Sequence, residues 1–443
     1  MITRVMSETK MKNYVLIKKG GNKMKKFLTV FAVAVTIALC IGINSSYAGE
    51  IDILLQKLVE KGVLTAGEAQ QIGTETKEQV KAEIAEGKFS SLPAWVQNTK
   101  LKGDFRMRYQ QDKKRNTATQ NEKSRFRIRL GIESKVNDQT KVYLGLASGS
   151  SSDPRSTNQT LQDSFAKKSL WIDYAYASYT PLAWATVSLG RMKNPIYQTG
   201  DMFWDTDINP EGVAVQFNHA LNDKTDFFMN NAFFILDDSA SPNGVGADPT
   251  MFVIQPGVKF AIDDKTNLKL AGAYYGFNSV KNQVLDNTSG TNTLSGQATA
   301  LLNYDFDSWT VSSELGIKDP LAFVNIGFIP YFSVFGDYVE NIDPSTENKG
   351  YLAGFKFGKE KVAGWKDWQA KYVYRSIGKD AVLDIFPDSD AYGGFTDVKA
   401  HEYVLSYGLA KNVTLDLDYY QSDRLKAAKN KEKLFQADLN FKF

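Results

Sequence analysis

Between Lys433 and Phe443 the chain alternates without a break: Phe435, Ala437, Leu439, Phe441 and Phe443 are apolar, and Gln436, Asp438, Asn440 and Lys442 between them are polar. Successive side chains of a strand point to opposite sides, so a strand here offers one face to hydrocarbon and the other to water. A soluble sandwich has a use for such a strand, with the apolar face inward, and so has a barrel in a bilayer. The same period of two recurs upstream. Val142, Leu144 and Leu146 oppose Lys141 and Tyr143; Tyr403, Leu405, Tyr407 and Leu409 oppose Glu402 and Ser406; Val413, Leu415, Leu417 and Tyr419 oppose Thr414, Asp416 and Asp418. No run after residue 48 is long and apolar enough to span a membrane as a helix, which needs about 20 residues.

The start of the chain has a different composition. Met24, Lys25 and Lys26 precede the mostly apolar run Phe27 to Ile43, and the small residues Ser46 and Ala48 follow it. Basic start, apolar middle and small-residue end read as a secretory signal peptide cleaved after Ala48. An uncleaved anchor is the other reading, but the run is short for a spanning helix. Leu39 before the single cysteine, Cys40, disfavours a lipoprotein. Residues 1–23 look superfluous, and Met24 is the expected true start. Of the 53 basic and 50 acidic residues, eight and one lie within 1–48, which leaves 45 against 49. The basic balance therefore belongs to the leader, and nothing in the remainder favours nucleic acid as a partner. Without a further cysteine there is no disulfide framework.

Residues 49–92 are the helical segment. Ile51, Leu54, Leu55, Leu58 and Val59 recur at helical spacing up to Gly62, and Thr65 with Glu68 forms a capping-box pattern for a second helix to about Glu86. The segment is expected either to pack on itself or to form a periplasmic coiled coil. Pro93 and Trp95 mark the start of the next region, 93–443. There, strand-length segments are joined alternately by short connections (137–139, 180–182, 221–223, 263–264, 362–364, 411–412) and long polar ones (111–123, 149–167, 193–210, 237–248, 278–294, 378–398, 422–432). This alternation is the rule for transmembrane antiparallel β-barrels of outer membranes, and Trp184, Trp365 and Trp368 beside short turns fit an aromatic girdle. Seventeen candidate strands are found, whereas a chain that starts and ends on one side crosses an even number of times. Placing 296–306 partly in a loop gives the expected sixteen strands; eighteen is the other count the parity allows. The last strand is similar to the closing strand of such barrels, where a terminal Phe is read by the assembly machinery. On that resemblance Phe435, Leu439, Phe441 and Phe443 close the barrel and carry its assembly signal.

The first hairpin carries the most charge. Lys102, Asp104, Arg106 and Arg108 share one face of the first strand, and Arg125, Arg127, Arg129 and Glu133 share one face of the second. Antiparallel pairing sets these arginines side by side. Like charges in that number ask for a wet surface, and an arginine facing lipid costs about 2–4 kcal/mol at the midplane. The expectation is a cationic inner wall; ordinary solvated side chains are the plainer reading. Further along stand Gly190-Arg191-Met192-Lys193-Asn194-Pro195 and then Asp201, Phe203, Trp204, Asp205, Asp207 and Asn209-Pro210-Glu211-Gly212. With Asp337-Tyr338-Val339-Glu340-Asn341, Tyr351 to Lys359 and Thr396 to Glu402, these stretches resemble the putative-porin family of Gram-negative bacteria, related to the sixteen-stranded general porins.

The resemblance implies a porin of the bacterial outer membrane that lets ions and small hydrophilic solutes diffuse passively, with lipid and the barrel-assembly machinery as partners and a homotrimer as its assembly. It also implies that loop 193–210 folds into the barrel. Asp201, Asp205 and Asp207 would then face Arg106, Arg108, Arg125, Arg127 and Arg129 across an eyelet; the plainer reading is an exposed loop with solvated acids. No cofactor or metal is expected, because His219 and His401 are the only histidines. Two alternatives stay open: a barrel hydrolase built on one of those histidines, and a structural or adhesive barrel with a plugged lumen.

Overall fold

The structure is a computed structural model that describes residues 49–86, 96, 98–114, 120–238, 248–295, 301–322 and 327–443. The expected signal peptide, Met24, Cys40, Pro93 and Trp95 lie outside the described residues. The helical segment forms two helices, α1 (Gly49–Glu60) and α2 (Ala66–Glu86). Gly62 follows α1 at φ +69°, the left-handed conformation that ends helices most cheaply at glycine. The capping box is formed: Thr65 N donates to Glu68 Oε2 at 2.9 Å, and Glu68 N donates to Thr65 Oγ1 at 3.3 Å. Leu55 is buried and lies within van der Waals distance of the space beside Gly73.

Residues from Leu92 on form a second compact unit. Its first eight long strands are β1 (Thr99–Lys113), β2 (Asn121–Lys135), β3 (Thr140–Ser148), β4 (Leu170–Leu182), β5 (Ala185–Arg191), β6 (Glu211–Asn222), β7 (Thr225–Ile235) and β8 (Thr250–Ala261). The second eight are β9 (Thr266–Asn278), β10 (Ser308–Lys318), β11 (Tyr331–Asn341), β12 (Lys349–Gly358), β13 (Trp368–Ile377), β14 (Val398–Ala410), β15 (Val413–Arg424) and β16 (Glu432–Lys442). Each pairs antiparallel with the next, and β16 pairs with β1, so the sheet closes as a sixteen-stranded barrel with no free edge. A two-residue strand, Gln159–Thr160, adds to β2 from within a loop. No helix among the described residues is long and apolar enough to cross a membrane.

At the seam Phe105, Met107 and Tyr109 pair with Phe441, Leu439 and Ala437. Gly103 N donates to Phe443 O at 2.7 Å and Phe443 N donates back to Gly103 O at 3.0 Å. A Cβ on Gly103 would stand 2.7 Å from the Phe443 ring, so this position has room only for glycine.

Most connections at the end bearing both strand termini are short, as at 183–184, 223–224 and 411–412, with 319–330 an exception; the longest, 149–169, 192–210, 279–307 and 378–397, are all at the other end. Residues 301–306, the described part of segment 296–306, lie in the loop between β9 and β10, in keeping with the sixteen-strand count, and 301–302 pair with 294–295. His401 lies in β14, the fourteenth strand. Outward-facing Leu189, Val213, Ile254, Leu270, Val311, Val334 and Leu405 are exposed, which gives the wall the apolar exterior of a barrel in lipid. Trp184 and Trp365 ring the short-turn end, packed near Phe217 and Tyr407, while Trp171 and Trp309 stand near the long-loop end.

Candidate functional site

The site is the lumen, and its walls follow from register. Alternation turns every second residue inward, so Arg106 faces Arg127, Arg108 faces Arg125 and Asp104 faces Arg129 across β1 and β2. On the other side of β1, Arg108 faces Asp438 of β16. Each arginine but one finds a carboxylate. Arg127 and Arg129 both bond Asp104, at 2.7 and 2.8 Å. Arg108 grips Asp438 with two bonds of 2.7 Å and reaches Asp390 at 3.2 Å. Arg106 bonds Asn158 at 2.6 Å and lies 3.3 Å from Asp438. Arg125 donates to Gln110 at 3.2 Å. The sequence asked for water around five like charges; the structure surrounds them with acids instead, and Arg108 is 5% exposed. Arg129 is the most open of the paired arginines, its side chain 32% exposed.

Loop 192–210 enters the barrel. Met192, Ile196, Met202, Phe203, Trp204 and Ile208 are buried in one apolar cluster with inward-facing Ala214, Phe234, Met251, Tyr275, Phe335 and Leu352. Hydrogen bonds hold the loop to opposite walls. Asp337 of β11 accepts from Thr199 N at 3.0 Å, Thr199 Oγ1 at 2.7 Å and Gly200 N at 2.9 Å. Gln255 of β8 accepts from Tyr197 N at 2.8 Å and donates to Tyr197 O at 2.7 Å. Across the lumen, Arg129 meets Asp207 at 3.2 Å.

The three loop acids therefore have three different neighbours. Asp207 alone bonds the arginine hairpin. Asp201 pairs with Arg375 of β13 at 2.9 Å. Asp205 accepts from the backbone N–H of Asp207 at 2.9 Å and of Ser389 at 3.0 Å. Burial, with Asp207 and Asp201 nearby, pushes the Asp205 carboxyl up to about 8 despite those two donors.

Sequence reasoning missed the second loop in the lumen, 378–397, which reads as a polar connection. Ala381, Val382, Leu383 and Phe386 are buried in the same apolar cluster, with the Phe386 ring 4.3 Å from that of Trp204. Its acids tie it to the loop before β10: Asp384 accepts from Thr288 Oγ1 at 2.7 Å and Thr291 N at 2.6 Å, and Asp380 accepts from Thr293 N at 2.7 Å. Arg375 was missed as well; its sequence surroundings, Tyr374 and Ser376, carry no sign of the acids that converge on it. Among the charged inner-wall groups, Lys356 and Glu314 pair at 2.8 Å and both stay partly exposed, whereas Lys371, partly exposed, pairs at 2.6 Å with the buried Glu402. His401 points outward, its Nδ1 2.8 Å from the Tyr372 hydroxyl, and His219 stands on the outer face of β6. Among the described residues no group of His, Cys, Asp or Glu is placed to hold a metal.

Sixteen antiparallel strands closed on themselves, apolar outside, with a charged inner wall and long loops from one end, define a porin barrel of the outer membrane. The chain belongs to the putative porin family, whose profile matches residues 113–307 and 293–443. Among solved structures, OprB of Pseudomonas putida is similar with a TM-score of 0.51 at 11% identity, over 82% of this chain and 96% of that one. A triple mutant of the Rhodopseudomonas blastica porin matches at 0.44 and 12% identity, over 78% and 100%. OpdQ of Pseudomonas aeruginosa matches at 0.43 and 10%, over 78% and 99%. Identities this low speak for the fold alone. No curated protein sequence matches the chain.

Proposed function

We propose that the mature protein, exported by a signal peptide ending at Ala48, is a non-enzymatic pore for passive diffusion of ions and small hydrophilic solutes, narrowed by loop 192–210. The observation that carries this reading is the loop's span, from Arg129 on β2 to Asp337 on β11. A loop fixed to opposing walls leaves a passage bounded by charged side chains, and a passage of that kind filters by size and charge. Because four of the five arginines are paired with Asp104, Asp438, Asp390 or Asp207, the wall's net field is weak, and only slight ion selectivity is expected. Homotrimer formation, assembly-machinery recognition through Phe435, Leu439, Phe441 and Phe443, and a periplasmic place for α1 and α2 belong to the same proposal.

One observation favours a second reading. The apolar cluster joining loops 192–210, 279–307 and 378–397 to the wall is what a plugged structural barrel would have. Proteoliposome swelling separates the two. A pore gives swelling rates that fall as the sugar grows; no swelling with any solute, from folded and heat-modifiable protein, refutes the pore.

A further inference from the structure

We infer that Arg375 is the positioning residue that seats loops 192–210 and 378–397 in the lumen as one body, so that both stay or leave together. Arg375 projects inward from β13 and is 1% exposed. Its Nη1 lies 2.9 Å from Asp201 of the first loop and 2.9 Å from Asp388 of the second. Its Nη2 bonds Glu402 of β14, which also holds Lys371 at 2.6 Å. Tyr420 of β15 donates to Asp388 at 3.2 Å and sets its ring 5.8 Å from the guanidinium carbon. A planar guanidinium with five donors suits this convergence of three carboxylates, whereas an ammonium offers no comparable fork. Without the cation, partly exposed Asp201 would face buried Asp388 and Glu402 uncompensated, and their repulsion would push both loops off the wall.

The two loops are also bonded directly to each other around this point. Asp205 N donates to Phe386 O at 2.7 Å, Asp388 N donates to Asp201 O at 3.1 Å, and Ser389 N donates to the Asp205 carboxylate at 3.0 Å. Their remaining polar contacts with the wall are separate: Asp337, Gln255, Arg129 and Asp173 bond only loop 192–210, and Arg108, Tyr420 and Asn341 bond only loop 378–397. Among the described residues no other inner-wall side chain bonds both loops. Cooperative units of this kind open in a single event, because breaking any one shared contact exposes the rest.

The inference deepens the pore reading by naming what holds its constriction, yet its test does not depend on conduction. Met202 in one loop and Val382 in the other are each 1% exposed, and the only natural cysteine precedes the expected cleavage point. Met202→Cys and Val382→Cys are therefore single reporters for a charged maleimide in the full-length, folded barrel. In an Arg375→Gln background both should react about tenfold faster or more, and Arg375→Lys should bring both part of the way back. Acceleration at one site only, or at neither in a heat-modifiable barrel, overturns the inference. Should Arg375→Gln fail to assemble, amide exchange in the unaltered protein decides. The Asp205 and Asp388 amides, which bond across the two loops, should exchange in one opening event at rates within about twofold, and rates about tenfold apart overturn it. A barrel that never conducts can still pass this test, and a conducting one can fail it.

Discussion

Arg106, Arg108, Arg125, Arg127 and Arg129 stand on adjacent strands without disrupting the wall because Asp104 and Asp438 stand among them. Asp104 serves two arginines at once, so Asp104→Ala leaves Arg127 and Arg129 without their shared partner. The barrel should lose about 2 kcal/mol of stability, and the reversal potential in a salt gradient should move toward anions; an unchanged potential would show that these arginines do not face the ion path. A second residue-scale expectation concerns pH. The Asp205 carboxyl is raised from 3.8 to about 8, so the folded loop binds a proton that the free carboxyl would release. Stability of the seated loop is therefore full at low pH and falls as pH rises from about 4 through 8. Conductance should grow more variable above about pH 8, and Asp205→Asn should abolish that dependence; an identical profile in the variant would contradict it. The arginines were legible because they alternate within eleven residues of each strand's start. Their partners were not: Arg108 and Asp438 are 330 positions apart, and only closure of the sheet brings them together.

Strands were the most legible elements, since a period of two combined with alternating loop lengths specifies both face and connectivity. The one ambiguous segment, 296–306, has strand-like composition, and loop parity narrowed the count to sixteen or eighteen without deciding it; its described residues 301–306 lie between two crossings. Seam geometry adds a requirement that alternation does not reveal. Gly103→Leu would drive a side chain into the Phe443 ring, and the prediction is loss of the heat-modifiable, folded band on gels; normal folding of this variant would show that β1 and β16 tolerate a different register. Loop 192–210 places three of its donors on one carboxylate of β11. Asp337→Ala removes the acceptor of Thr199 and Gly200 and should raise mean single-channel conductance by about twofold, while a conductance equal to that of the unaltered protein would mean the loop does not need this anchor. Loop 378–397 shows the limit of reading elements from sequence. Ala381, Val382, Leu383 and Phe386 form a short apolar run without a period, and such a run does not disclose whether it faces lipid, solvent or the lumen.

At the scale of the whole molecule, the barrel is an apolar shell around an interior that is itself partly a core. Three long loops meet inside it, so the question of function is whether water and ions still pass beside them. The closed sheet needs no edge protection and leaves loop packing free to set the width of any passage. The sequence disclosed the shell because lipid and water impose opposite chemistry on its two faces; it did not disclose the filling, because contacts between distant loops leave no local pattern. Single-channel recording of the purified mature protein in a planar bilayer, with a salt gradient across it, tests the pore most directly. Stable conductance steps with a reversal potential close to zero are predicted, since four of the five arginines are paired with wall and loop acids. A correctly folded barrel that inserts and stays silent would contradict the pore and identify the interior as a permanent plug.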